Sequence, residues 1–411
     1  MGSRAVRTLS FPVGELPAPL LELLAEFRLI VNKSIRIALR EDIRSRNRLA
    51  TAAYRTLSAE HRIYKQYIPS AFDVALGVLK VYRRLVRKGK RSSIPFIRRP
   101  MLKAENQSYR FDRETGRLRI PIRGTEGVQL YLMKSQWHQT FFSDSSWELG
   151  SLTVVPGKVL LAVRRVAPKP YQPSSAIALD TNEDSLDGVV ASRPEIATLV
   201  TAPLGGVRQV QMVHFRRRRQ LARRKTHDRR VQRWLLRREG QREGNRVRQR
   251  LHRTSKFLVA LAKDRRAAIV LENLTLHGAD GRSRRMNRRL SSWPRREIHR
   301  QIEYKAALAG VPVIKVNPAW TSKTCPVCGA RRRDRVGKDF VCLMCDWEMD
   351  RQINAGLNIL KTALASNEAL ARAVRFQPGA LRHDVVIPLY DLSGFLGGAR
   401  EEPSGVESQT G

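Results

Sequence analysis

Over the opening residues, RAVRTLSFPVG, apolar and polar positions alternate as a half-buried strand requires. From Leu16 to about Lys88 the apolar spacing changes to three and four, as in PLLELLAEFRLIVNKSIRIALR, which predicts helices. Strand signals return between Ser108 and Val166, in SYRFD, RLRIPI, VQLYLMK and KVLLAVRRV, with ETG marking a turn. That order describes a helical segment inserted between strands of one β-unit. The polar, proline-rich APKPYQPSS, residues 167–175, reads as a linker.

Beyond the linker, two short apolar runs carry an acid at the end: AIALD closes on Asp180 and AAIVLE on Glu272. Each predicts a buried strand that delivers a carboxylate to its carboxyl end, where α/β sheets place ligands. Between them, residues 216–256 form a basic helical region with 18 Lys or Arg against three acids in 41 residues. Leu221, Val231, Trp234, Leu235 and Leu251 interleave with its arginines. After Glu272 a basic loop leads into a helix, VPVIKV at 311–316 is a further strand, and DRQINAGLNIL opens an amphipathic helix. The tail from about Ser366 mixes short apolar pieces with polar sequence, and the last dozen residues are expected to be disordered.

Charge changes the picture more than length does. The 411 residues suffice for two or three domains with sizeable cores, and a 42% apolar content fits a folded chain. The formal charge of +40 is extreme; self-repulsion on that scale calls for a polyanion, and nucleic acid is the expected partner. An anionic membrane surface is the competing explanation. No apolar run approaches the roughly 18 residues that span a bilayer, and neither a signal peptide nor a myristoylation pattern opens the chain. The expectation is a soluble, intracellular protein. Within the basic region, Arg216, Arg217, Arg218, Arg219, Arg223, Arg224, Lys225, Arg229 and Arg230 are the candidate phosphate contacts, because such a density of cations destabilises a helix unless phosphates screen it.

All four cysteines lie between Cys325 and Cys345, as CPVCG and CLMC with 13 residues between the pairs. Each two-residue gap lets one turn aim two thiolates at a single tetrahedral Zn²⁺. Four sulfurs (Cys325, Cys328, Cys342 and Cys345) leave no open position, so such a zinc is structural. The arginines of ARRRDR between the pairs are candidates for nucleic-acid contact. No histidine pair has ligand spacing. Trp234, Trp293 and Trp320 read as core packing, while nothing in the sequence singles out Tyr131, Lys134 and Gln136, on the strand-rich N-terminal part, for contact with DNA.

With VNPAWTSKTCPVCG, the upstream SSWPRREIHRQIEYKA and the downstream DRQINAGLNIL, the chain resembles the TnpB family, transposon-encoded relatives of type V CRISPR effectors. The resemblance is specific from about Ala176 to Leu360 and general before that. It implies an α/β, RNase H-like RuvC domain at 171–324 and 346–365, interrupted by a zinc ribbon at 325–345 and followed by a tail at 366–411. It also implies an N-terminal β-barrel wedge domain at 1–14 and 106–170, with a helical recognition lobe at 15–105 inserted. The implied partners are a guide RNA from the transposon end and double-stranded target DNA, held by a monomer with one RNA. The implied activity is DNA cleavage by two Mg²⁺ ions held by carboxylates about 3.5–4 Å apart.

Asp180 and Glu272 match the family's first two ligands, although Asp180 runs into TNEDSLD, where Asp184 and Asp187 blur the assignment. The third ligand is an aspartate two residues before the first Asn of N-A-x-x-N; here that position is Gln352, and Asp350 lies two residues upstream. An amide oxygen brings no charge to Mg²⁺ and cannot act as a base. Asp350 is therefore either a displaced ligand or only the cap of the helix, with Glu303 a more distant substitute. Two functions remain open on one scaffold: an endonuclease using Asp180, Glu272 and Asp350, or a nuclease-impaired, guided DNA-binding repressor. A guide-free zinc-ribbon DNA-binding protein of a transposon is a third.

Overall fold

The computed structural model describes residues 4–90, 93–192, 198–223, 228–274, 283–331, 337–374 and 389–391. The chain divides into two compact units, residues 1–166 and 167–411.

The first unit opens with strand β1 (Arg4–Pro12), followed by helices α1 (Ala18–Arg40), α2 (Arg46–Glu60) and α3 (Tyr67–Arg87). Strands β2 (Leu102–Ala104), β3 (Arg110–Phe111), β4 (Arg117–Arg123) and β5 (Glu126–Tyr131), helix α4 (Gln136–Phe142), and strands β6 (Glu148–Val155) and β7 (Lys158–Val166) complete it. The helical spacing of α1 puts Leu20, Leu23, Leu24, Phe27, Ile30 and Val31 on one buried side, where they meet α3. β1 pairs antiparallel with β7 along its whole length, from Arg4 opposite Val166 to Pro12 opposite Lys158. The full sheet order is β1-β7-β6-β2, with a separate three-stranded sheet β3-β4-β5. Strands thus resume at Leu102, six residues before the alternation becomes visible, because a three-residue strand is too short to show a period.

The second unit begins with an antiparallel meander, β8 (Ser175–Thr181), β9 (Ser185–Ser192) and β10 (Thr198–Pro203). Helices α5 (Val207–Arg223) and α6 (Arg229–Asp264) lead to strand β11 (Ala267–Glu272), helices α7 (Arg284–Ser292) and α8 (Arg295–Ala309), and strand β12 (Val313–Val316). Strands β13 (Asp339–Val341) and β14 (Glu348–Asp350) form a small hairpin; helices α9 (Arg351–Ser366) and α10 (Glu368–Ala373) and strand β15 (Leu389–Asp391) follow. The main sheet runs β12-β11-β8-β9-β10-β15, with β11 parallel to both β8 and β12. β15 pairs in parallel with β10, a strand inside the tail that at three residues is too short to show a period.

Strand alternation splits this sheet into two faces. Ile177, Leu179, Ile269 and Leu271 join α6 and α8 in one core, while Ala176, Ala178, Ala268 and Val270 join α9 in the other. α9 packs very closely. A Cβ on Gly356 would lie 2.6 Å from the Cα of Gly188, so only a glycine pair admits this approach. No helix among the described residues is long and apolar enough to cross a membrane.

Candidate functional site

The site is assembled at the carboxyl ends of β8 and β11. Asp180 shares the pleat of Ala176 and Ala178, and Glu272 that of Ala268 and Val270, so both belong to the sheet face that α9 covers. Asp187 stands directly opposite Asp180 across the β8–β9 ladder and shares that face. Asp350 arrives from the helix side as the N-cap of α9. Four carboxylates thus lie on this sheet face or at the end of the helix that covers it, interacting as the pairs Asp180–Glu272 and Asp187–Asp350, where the sequence nominates three.

Their electrostatics reflect the crowding. Burial pushes the Glu272 carboxyl up to about 7, the Asp180 carboxylate beside it adds to the shift, and a 2.6 Å hydrogen bond from the Thr321 hydroxyl partly opposes it. Asp187 is likewise raised, first by burial and more weakly by Asp350, while donors from Ser185, Asn182 and Thr201 stabilise its charge. The Asn182 amide reaches Asp187 at 2.8 Å. Three side-chain donors thus fix the pose of Asp187 and partly offset the rise that burial causes. In the sequence Asp187 is only a neighbour that blurs Asp180; its place opposite Asp180 is a product of the fold. Asp184 belongs elsewhere: its carboxylate accepts from the Arg208 backbone at the start of α5.

Asp350 accepts from the backbone N–H groups of Gln352 (2.8 Å) and Ile353 (3.3 Å), both on Oδ1. Capping therefore occupies one carboxylate oxygen of two, and the choice between cap and ligand is not exclusive. Gln352 lies one turn before Gly356 on the same side of α9, the side pressed against the sheet. Position 352 thus lies on the sheet side of α9 and carries an uncharged amide. Glu303 does not approach it, because this α8 residue pairs with Lys315 of β12. Lys315 shares the strand parity of Val313, which packs in the α6–α8 core behind the sheet.

That opposite face stiffens the strand end. Thr181 is 2.8 Å from Nε2 of the buried His299, whose imidazole burial lowers to about 4, with Lys315 and Arg295 acting in the same direction. His299 is therefore neutral at physiological pH. From the helix side, Asn358 donates to the carbonyls of Thr321 (2.9 Å) and Thr324 (2.7 Å), and Asn354 donates to Thr324 (3.0 Å). The two asparagines of N-A-x-x-N thus fix the segment whose Thr321 hydroxyl holds Glu272.

The four cysteine sulfurs lie within 4.8 Å of one another. Sγ separations of 3.6 Å for Cys325–Cys345 and 3.5 Å for Cys328–Cys342 are close to the roughly 3.8 Å edge of a tetrahedron with Zn–S bonds of about 2.3 Å. Each knuckle is closed by its backbone, with Gly329 N–H to Cys325 O and Asp346 N–H to Cys342 O, both 3.0 Å. The set is built to hold a soft divalent metal such as zinc.

The basic candidates divide. Arg216, Arg217, Arg219, Arg223, Arg229 and Arg230 are exposed, whereas Arg218 is half-buried in an ion pair with Glu243. Arg224 and Lys225, like Arg332, Arg333 and Arg335 of ARRRDR, lie outside the described residues. The acids Glu239 and Glu243 sit at the α5–α6 seam. Glu239 is buried, 2.7 Å from His214 and within reach of Arg217 and Arg242. Internal acids thus hold the hairpin together while most of its cations stay available. Trp234 and Trp320, expected in the core, are 54% and 47% exposed, each with a cation over its ring: Arg238 on Trp234, Lys323 and Arg331 on Trp320.

The fold is similar to that of solved Cas12 structures. The solved Cas12f1–sgRNA–target DNA complex superposes with a TM-score of 0.57 at 15% identity, over 83% of this chain and 81% of that one. Residues 296–359 match the family described as Cas12f1-like, TNB domain, and residues 23–121 match the Uncharacterized protein MJ0013 family. TnpB-like protein MJ0751 of Methanocaldococcus jannaschii is 24% identical over 260 residues, 61% of this chain and 92% of that protein. The CRISPR-associated endodeoxyribonuclease Cas12f1 of Sulfoacidibacillus thermotolerans is 35% identical over 111 residues, 26% of this chain and 25% of that one. The chain belongs to the TnpB family.

Proposed function

We propose that this protein is a transposon-associated, RNA-guided DNA endonuclease of the prokaryotic cytosol. It carries a guide RNA from the transposon end as a monomer and cuts double-stranded target DNA. The observation that carries the reading is the placement of Asp180, Asp187 and Glu272 on one sheet face with Asp350 at the start of the helix that covers it, and Glu272 raised to about 7. Glu272 and Asp187 are buried, each with a further carboxylate beside it, and a divalent cation is the simplest relief. Their hard oxygen donors fit Mg²⁺.

In this reading Asp180, Glu272 and Asp350 hold the ions, and Asp187 supplies the charge that Gln352 lacks. Bound Mg²⁺ would supply an activated water and a stabilised leaving oxygen for phosphodiester hydrolysis. The protein's own groups do the positioning: Thr321 orients Glu272, and the Asn182–Ser185–Thr201 donors orient Asp187. The cap bonds aim Asp350. The exposed arginines of α5 and α6 would track the phosphates of an A-form heteroduplex whose base pairing reads the sequence. Cys325, Cys328, Cys342 and Cys345 would hold a structural Zn²⁺ that keeps Thr321 in place. The two sheets and three long helices of the first unit would serve as wedge barrel and recognition lobe.

Gln352 favours a second reading, in which the same scaffold binds guided targets without cutting them. One variant series separates the two. The protein, purified with the RNA of its own locus, is tested on matched duplex DNA with Mg²⁺. Cleavage lost in Asp180→Ala and Asp350→Ala but kept in Gln352→Ala supports the endonuclease. Tight binding without cleavage, converted to cleavage by Gln352→Asp, supports the binding-only protein.

A further inference from the structure

Beside the acidic cluster lies a cavity of about 340 Å³ whose lining includes Phe215 of α5, Arg288 and Arg289 of α7, Trp293, Arg208 and Glu183. We propose that it binds one nucleotide of a single-stranded nucleic acid, its base on the aromatic–guanidinium surface and its phosphate on the arginine rim.

Three observations carry this. The Arg288 guanidinium carbon sits over the Phe215 ring, 4.1 Å from its centroid, so the ring backs a guanidinium plane whose outer side can take any base by its π-face. The rim is cationic: Arg208 and Arg289 both lean on the single carboxylate of Glu183, which leaves them with surplus charge for a phosphate. The volume lies at the small end of ligand pockets, suited to a nucleotide and far too small for a duplex.

The location says which strand it serves. Glu183 is three residues beyond Asp180, at most about 10 Å of extended chain. The Trp293 indole donates to the Asn182 carbonyl at 2.9 Å, and the Asn182 side chain holds Asp187. A strand whose phosphodiester lies at the carboxylates therefore passes the mouth of this cavity, and stacking a neighbouring base there would fix its register. That last step rests on the nuclease reading; the binding itself does not.

The test compares a fluorescein-labelled hexathymidylate with an abasic hexamer of equal charge, by anisotropy at fixed salt, on the protein without added guide. The wild type is expected to bind the base-carrying oligomer about 5- to 100-fold more tightly, since the abasic strand reports phosphate attraction alone. Phe215→Leu and the surface variant Arg288→Gln should each erase most of that preference. A 5-iodouracil oligomer should crosslink to Phe215 or Trp293. Equal affinity for the two oligomers, a preference untouched in both variants, or adducts confined to other regions would each overturn the proposal. A preference that survives in a protein unable to cut any guided target would refute the nuclease reading and leave the cavity's role standing.

Discussion

Replacing Glu272 by glutamine should stabilise the protein at alkaline pH, and the size of the gain follows from its surroundings. The Glu272 carboxyl moves from 4.5 to about 7, first through burial and then through Asp180. The fold therefore binds this proton more tightly than the unfolded chain does. The stability it contributes is fully present below pH 4.5 and is lost as pH rises through 7. The shift corresponds to about 3 kcal/mol between those limits. Glutamine keeps an oxygen to accept from Thr321 and carries no charge, so Glu272→Gln should match the wild type at pH 5. At pH 8 it should exceed the wild type by about 2–3 kcal/mol. Urea unfolding of the zinc-loaded protein, read on the second unit's transition without added Mg²⁺, measures the difference. Added Mg²⁺ should then recover stability in the wild type at pH 8 and not in the variant. Equal stabilities at both pH values would show that Glu272 is an ordinary surface-like carboxylate and would remove the electrostatic reason for a cation site.

Other perturbations probe the same assembly. Asp350→Asn keeps an N-cap acceptor and should hold stability within a few tenths of a kcal/mol, whereas Asp350→Ala should cost about 1 kcal/mol. Both should abolish Mg²⁺-dependent cleavage, and activity retained in Asp350→Asn would mean that Asp350 only caps α9. Gly356→Ala forces a methyl to 2.6 Å from Gly188 and should destabilise by about 1–3 kcal/mol in thermal melts, with loss of cleavage as α9 lifts from the carboxylates. A neutral Gly356→Ala would contradict the tight packing. Cys345→Ser should bring bound zinc, measured by elemental analysis, from one per chain towards none and expose the Thr321–Thr324 segment to hydrogen exchange; full zinc content would place the metal elsewhere.

Residues whose chemistry is local were the legible ones. The cysteine pairs announce a tetrahedral site because two-residue gaps constrain the thiolates before any tertiary structure forms. Asp180 and Glu272 stand out because each ends an apolar run too short to be anything but a buried strand. Asp350 was readable as a cap, and the helix indeed starts at Arg351. Asp187 was not readable, because its role depends on standing across a ladder from Asp180, in a stretch where three other acids compete for attention. The Gly188–Gly356 contact likewise joins residues whose closeness only the packed sheet creates. The exposure of Trp234 and Trp320 was misread because large aromatics usually pack inside, whereas here neighbouring cations cover their faces at the surface. The basic hairpin gave its charge in the sequence and hid its seam, where buried Glu239 pairs with His214.

In the proposed function a transcript directs these carboxylates to DNA. The most direct test is to supply the protein with the RNA of its native locus and Mg²⁺, add duplexes that match or mismatch that RNA, and sequence any new ends. The account predicts cuts at a fixed offset in the matched duplex alone, absent in Asp180→Ala. Indifference to the RNA, with matched and mismatched duplexes treated alike, would contradict it.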